Sequence, residues 1–278
     1  MNPPSHLRNK AACEGTPEQN AAANAAKVLI TTSADPDTQR NVAVTALPDV
    51  LRGKKRSEFR DVERYLQGIV DRIDRANDLD DFSWDVYLLS DRSANASTLG
   101  GGVICVNEGI LLHTRNEADI AIILAHEMAH STEGDAVNRQ RNDAILAAGV
   151  VAMRQEVRRQ GKSGNQWIDL AINLGTAAVV GASSQGREAR ADRIGFHYYR
   201  KAGYQPAAAP AIFDRLRKVE GSNRSALAVF NSHPGSRQRA DTLRQLAAKT
   251  ANRNSGRVNT RTWSGLIAKV EKKYKRKD

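Results

Sequence analysis

The chain has 278 residues, of which 40% are hydrophobic and 26% charged, the composition of an ordinary globular protein with room for a substantial core. The formal net charge is +11, but residues 251–278 hold nine Lys/Arg against two acids and so supply +7, leaving +4 for the body. There is no run of about 18 apolar residues and no apolar h-region near the N-terminus, which excludes a membrane-spanning helix and a secretory signal.

The expectation is therefore a soluble protein, cytoplasmic as written and periplasmic if a leader is missing upstream. The two cysteines, Cys13 and Cys105, match no metal-binding spacing, and no structural disulfide is expected between them.

Residues 1–55 are broken by Pro3, Pro4, Pro17, Pro36 and Pro48 and read as a loosely ordered N-terminal extension. Within it, residues 21–30 suggest a short helix and residues 41–47 a short strand. From Ser57 the pattern changes. Phe59, Val62, Leu66, Ile69, Val70 and Ile73 recur at helical spacing, with Ser57 as N-cap. Residues 84–90 read as a strand, residues 91–97 as a polar turn, and residues 103–107 as a second strand after Gly100, Gly101 and Gly102. Two readings of the glycines stand side by side. One is a plain hairpin turn. The other is an edge strand beside a cleft, where Gly101, Gly102, Val103 and Ile104 bind an extended substrate through the backbone.

The next helix carries the chemistry. Asn116 is placed to cap it, Asp119 sits in its acidic first turn, and residues 120–125 are almost wholly apolar. Such a run belongs in a core, so the His126-Glu127-x-x-His130 at its end needs a reason to be there. Residues four apart share a helix face, so both imidazoles can take one metal ion. Glu127, about 100° further round the axis, is set beside the metal rather than on it. This is the arrangement of a metalloprotease: two zinc ligands and a general base for the attacking water.

Beyond it, residues 144–153 and 167–180 read as apolar helices of the core. A catalytic zinc takes a third protein ligand. Glu133 and Asp135 follow His130 too closely to fold back easily onto the metal. Glu188 opens a segment in which Glu188, Asp192 and Gly195 share one helical face. A glycine there allows close packing on the zinc helix. Glu188 can then reach the metal, and Asp192 can accept the N–H of a ligand histidine. The bland alternative is a surface helix in which Glu188 and Asp192 pair with Arg187, Arg190 and Arg193. The closing basic segment reads as a solvated tail, with weak contact to nucleic acid or an anionic surface, since only Trp263 and Tyr274 interrupt its charges.

Taken together, these motifs resemble metallopeptidase family forty-eight, the group of HtpX-type, Oma-type and CAAX prenyl endopeptidases. The likeness runs from about Glu58 to Ala247. It includes the strand region from Asn95 to Asn107, Gly109 to Leu112, Asn116 to Asp119, Ala202-Gly203-Tyr204-x-Pro206, and Ser232-His233-Pro234 with Arg239 beyond. Two departures stand out. The family's N-A-F-A-x-P is Asn95-Ala-Ser-Thr-Leu-Gly here, and no membrane span can follow the zinc helix, which places the chain in a soluble branch.

The resemblance implies an α+β, predominantly helical fold of the gluzincin type, with a small sheet beside the active-site helix. The metallopeptidase domain would be residues 56–250, between the extension 1–55 and the basic tail 251–278. His126, His130 and Glu188 would bind one Zn2+, with Asp192 behind a ligand histidine. Glu127 would take a proton from the zinc-bound water and pass it to the leaving amine. His233 would hydrogen-bond the oxyanion or occupy the open zinc position as a latch. Arg239 would pair with Asp192 or stabilise the oxyanion. The implied activity is endopeptidase cleavage of extended or misfolded polypeptides in protein quality control. Prenylated substrates are not expected without a membrane chamber. The alternatives are a DNA-associated metalloprotease tethered by its basic tail, and a non-catalytic zinc-binding chaperone or assembly protein.

Overall fold

The computed structural model describes residues 35–136, 138–139, 185–220 and 236–275. Cys13, His233 and the helices expected at 21–30, 144–153 and 167–180 lie outside the described residues.

The first described helix, α1 (Pro36–Gly53), corrects the strand expected at 41–47. The Asp35 side chain accepts a hydrogen bond from Thr38 N at 2.9 Å, and Pro36 occupies the first turn, where its missing N–H costs nothing. That start signal outweighs the β-branched Val42 and Val44. Nor is α1 a detached arm. Arg40 donates to Ser83 O at 2.9 Å and Gly101 O at 3.3 Å and pairs with Asp85. The approach is close enough that a Cβ on Gly101, already at φ 53°, would sit 2.2 Å from Arg40 N.

Helix α2 (Arg60–Asn77) buries Val62, Leu66, Ile69, Val70 and Ile73, the face its periodicity predicts. Its cap is Phe59, two residues beyond the expected Ser57, whose Oγ instead accepts from Phe59 N at 3.0 Å. Among the described residues the sheet has three strands, β1 (Asp85–Leu89), β2 (Ala96–Gly100) and β3 (Val103–Asn107), in the order β1-β3-β2. β3 runs parallel to β1 and antiparallel to β2.

Two consequences follow from that order. Most of the expected polar turn at 91–97 precedes β2, a strand that the residue pattern does not signal and that only the family likeness over Asn95–Asn107 implies. And β3, which carries Val103 and Ile104, is the central strand with both edges paired, so no peptide can add to it. Gly101 is in turn covered by α1, and a Cβ on Gly102 would collide with Ser83 O at 2.2 Å. The pairing of β3 on both sides thus closes edge addition along Val103 and Ile104, and Gly101 and Gly102 lie in the turn between β2 and β3.

β1 has its outer edge closed by α2. Val86 N donates to Gln67 at 2.9 Å and Leu88 N to Glu63 at 2.9 Å. Helices α3 (Glu108–Leu111) and α4 (Glu117–Thr132) follow β3, and α4 is buried from Glu117 through Ser131. The helix over residues 185–201, α5, lies against α4; α6 (Ala211–Glu220) and α7 (Ser236–Ala248) pair with each other.

The C-terminal segment is not a solvated tail. Helix α8 (Thr260–Lys275) buries Trp263, Ile267, Val270 and Tyr274 along one stripe. Trp263 donates to Thr114 Oγ1 at 2.9 Å, while Lys273 (2.7 Å) and Tyr274 (2.8 Å) reach the fully buried carboxylate of Glu108. Lys269 pairs with Asp61 of α2, and Lys272 and Lys275 are exposed. Among the described residues no helix is long and apolar enough to cross a membrane.

Candidate metal centre

The site is built on α4, and α4 is fixed at its start. Asn116 Oδ1 accepts from Asp119 N at 3.0 Å, the expected cap. Glu117, buried in the first turn, accepts from Tyr204 at 2.7 Å and Arg72 at 2.9 Å, and from Tyr65 and Asn259. Asp119 accepts from Arg115 N at 2.7 Å and pairs with Arg215. Acidic groups near the positive end of a helix are favourable, and each of these has a partner, so their burial is compensated.

Ten residues on from the cap, His126 Nε2 and His130 Nε2 lie 3.0 Å apart. α5 brings Glu188 to the same point, Oε2 at 3.3 Å from His126 Nε2 and Oε1 at 3.4 Å from His130 Nε2. The approach depends on Gly195, since a Cβ there would lie 2.9 Å from both Cα and N of His126. Donor atoms held about 2 Å from a tetrahedral ion are separated by about 3.3 Å, so this set of two imidazole nitrogens and a carboxylate fits zinc. His126, His130 and Glu188 are all buried, and their donor atoms lie within 4.8 Å of one another.

Each histidine has a carboxylate behind it. His126 Nδ1 is 3.0 Å from Asp192 Oδ1. Asp192 is gripped by Arg239, whose Nε is 3.0 Å and 3.2 Å from the two oxygens and whose Nη2 is 2.9 Å from Oδ1. Arg239 stacks on Phe213 at 4.6 Å and reaches Glu188 at 3.8 Å. Burial works to raise Asp192, but Arg239 and then His126 outweigh it and hold the carboxyl at about 2.

His130 Nδ1 is 2.7 Å from Asp135 Oδ2. Burial works against its charged form, yet Asp135 and Glu188 prevail and the imidazole is pushed up to about 9. Asp135 was set aside in the sequence as too near His130 to fold back. The chain does turn back: α4 ends at Thr132, and Gly134 takes a left-handed φ of 66°. It brings Asp135 behind the ring rather than to the metal. The signal present in the sequence was a glycine directly before an acid, just past the helix end.

Glu127 is buried beside the donors. Its Oε2 accepts from Thr98 N of β2 at 3.0 Å, while Thr98 Oγ1 meets Ser131 Oγ at 2.7 Å. Neither Thr98 nor Ser131 carries a sequence signal for this role. Of the residues singled out in the sequence, His126, Glu127, His130, Glu188, Asp192 and Arg239 are brought together here.

The Peptidase family M48 profile matches residues 57–247. The chain belongs to this family. M48 relatives with assigned names include the mitochondrial metalloendopeptidase OMA1 of Schizosaccharomyces pombe, 28% identical over 175 residues, covering 63% of this chain and 50% of that protein. OMA1 of Arabidopsis thaliana is 30% identical over 168 residues, 60% of this chain and 32% of that one. The beta-barrel assembly-enhancing protease of Yersinia pestis is 28% identical over 134 residues, 47% and 27% of the two chains. The matched region thus spans half or less of each of these relatives. The cytoplasmic placement gains no support from M48 relatives, two of which carry mitochondrial names.

Proposed function

We propose that this M48 chain is a zinc-dependent endopeptidase of the gluzincin type, with His126, His130 and Glu188 as ligands and Glu127 as general base. The observation that carries the reading is the convergence of three buried donors at 3.0–3.4 Å, with a further buried acid, Glu127, adjoining them. Zinc, when bound, would supply Lewis-acid polarisation of the scissile carbonyl and of water.

The protein's own part is orientation and proton transfer. Thr98 N–H holds Glu127 by one oxygen and so sets the carboxylate's direction. Glu127 accepts the proton of the attacking water and returns it to the departing amine. Asp192, clamped by Arg239, directs the Nε2 of His126 toward the metal by accepting at Nδ1. Arg239 is in this reading a positioning residue.

The substrate is an extended or misfolded polypeptide segment. Its place is along β2, the edge strand that touches Glu127, rather than along β3. The peptidase unit includes α1 and α8, since one covers the hairpin of the sheet and the other is anchored on Glu108.

Zinc content and casein cleavage, measured on wild type and Glu127→Gln, test the reading. One zinc per chain in both, with cleavage by wild type alone, is expected. Failure of wild type to take up added zinc would sink it, as would equal cleavage by the variant. The same assay places His233: His233→Ala raises activity if that residue latches the metal and lowers it if it assists the reaction.

A further inference from the structure

Glu188, Arg190 and Asp192 are successive alternate residues of α5, and they divide the site between them. Glu188 faces both histidines, and Asp192 backs His126. Arg190 reaches in the other direction, toward the chain that follows α4. Its Nη2 is 2.9 Å from Asp135 Oδ1 and its Nε 2.7 Å from Glu133 Oε2. Asp135 is 2% exposed, and its second oxygen is the one 2.7 Å from His130 Nδ1. The two histidines therefore each stand at the head of a His–Asp–Arg chain. One, His126–Asp192–Arg239, is wholly buried; the other, His130–Asp135–Arg190, ends on a guanidinium that is 43% exposed.

We propose that Asp135, oriented by Arg190, is the positioning residue for His130, holding its proton on Nδ1 so that Nε2 is presented to the metal. The inference rests on His130 being a ligand. A neutral imidazole has one donor and one acceptor nitrogen, and the partner of the donor decides which is which. A carboxylate cannot donate when ionised, so at 2.7 Å it fixes the proton on Nδ1 and the ring plane with it. Loss of such a partner typically weakens metal binding by about 10- to 100-fold. Arg190 fixes the carboxylate in turn, but from a partly solvated position, so its removal should cost less.

The test is the zinc dissociation constant by competition with a chromophoric chelator, with the melting temperature of the metal-free protein measured alongside. Asp135→Ala should weaken zinc by about 10- to 100-fold. Asp135→Asn, whose carbonyl oxygen still accepts from Nδ1–H, should recover most of that loss. Arg190→Ala, a change at a half-exposed side chain, should weaken zinc by several-fold and keeps the question open to measurement if Asp135→Ala does not fold. In the zinc-loaded wild type, nitrogen chemical shifts should report Nδ1 of His130 as the protonated nitrogen. If Asp135→Ala lowers only the melting temperature and binds zinc as wild type does, Asp135 is a structural staple and the inference is overturned. If the shifts place the proton on Nε2, it is overturned as well. Failure of wild type itself to bind zinc would instead strike the ligand assignment.

Discussion

Gly195 packs against His126 so closely that a Cβ would stand 2.9 Å from the histidine's own backbone N and Cα. The neighbour is backbone inside a buried helix, so it cannot swing aside as a long side chain would. Gly195→Ala should therefore push α5 away from α4, carrying Glu188 and Asp192 with it. A destabilisation of about 1–3 kcal/mol is expected from such overpacking. Urea denaturation of the metal-free protein measures it, and zinc affinity should fall in the same variant. Unchanged stability would mean that the helices part without cost.

The state of His130 makes the metal-free protein sensitive to pH. Its folded value of about 9 lies above the 6.5 of an unperturbed imidazole. A raised value means that the folded state binds the proton more tightly than the unfolded one. The contribution is therefore complete below about pH 6.5 and is lost as pH rises toward 9. Denaturation midpoints in the presence of chelator should fall across that window, and His130→Gln should flatten the slope. Apparent zinc affinity should move the opposite way, rising to about pH 9, because the metal must displace the proton.

Asp192 gives an acid limb of the other sign. Its folded value of about 2 lies below the ordinary 3.8, so the stabilisation is present above 3.8 and is lost as pH falls through 2. Arg239→Lys should weaken this clamp, because an ammonium cannot reproduce the several contacts of a planar guanidinium. We expect reduced zinc affinity, with Asp192 titrating at higher pH in the variant. Chelator competition and carboxyl carbon shifts give the two readouts.

The anchor of α8 can be tested apart from the metal. Glu108 is fully buried, and Lys273 supplies its positive partner at 2.7 Å. Lys273→Ala leaves a buried carboxylate without its cation and should cost about 3 kcal/mol. Glu108→Gln made together with Lys273→Met should cost less than the single change, since no uncompensated charge remains. Thermal unfolding of the two variants beside wild type checks this, with zinc affinity expected to stay within a few-fold of wild type.

Sequence alone determined the elements whose signals are local. The stripe from Val62 to Ile73 and the capped apolar run from Asn116 to His130 are periodic, and periodicity survives any tertiary context. Glu188, Asp192 and Gly195 were legible for the same reason, three positions on one helix face. The stripe Trp263, Ile267, Val270 and Tyr274 is equally present, but it is interleaved with nine cations, the pattern of a solvated tail. Helix α1 carries opposed local signals: Val42 and Val44 favour a strand, and the Asp35–Pro36 start decides for a helix. Tertiary structure alone decided which strand is central, because pairing partners are chosen across the fold and β2 becomes a strand only by meeting β3. It also decided that Asp135 belongs to His130. Spacing says how far apart two residues are along a regular helix, and it is silent once a left-handed glycine reverses the chain.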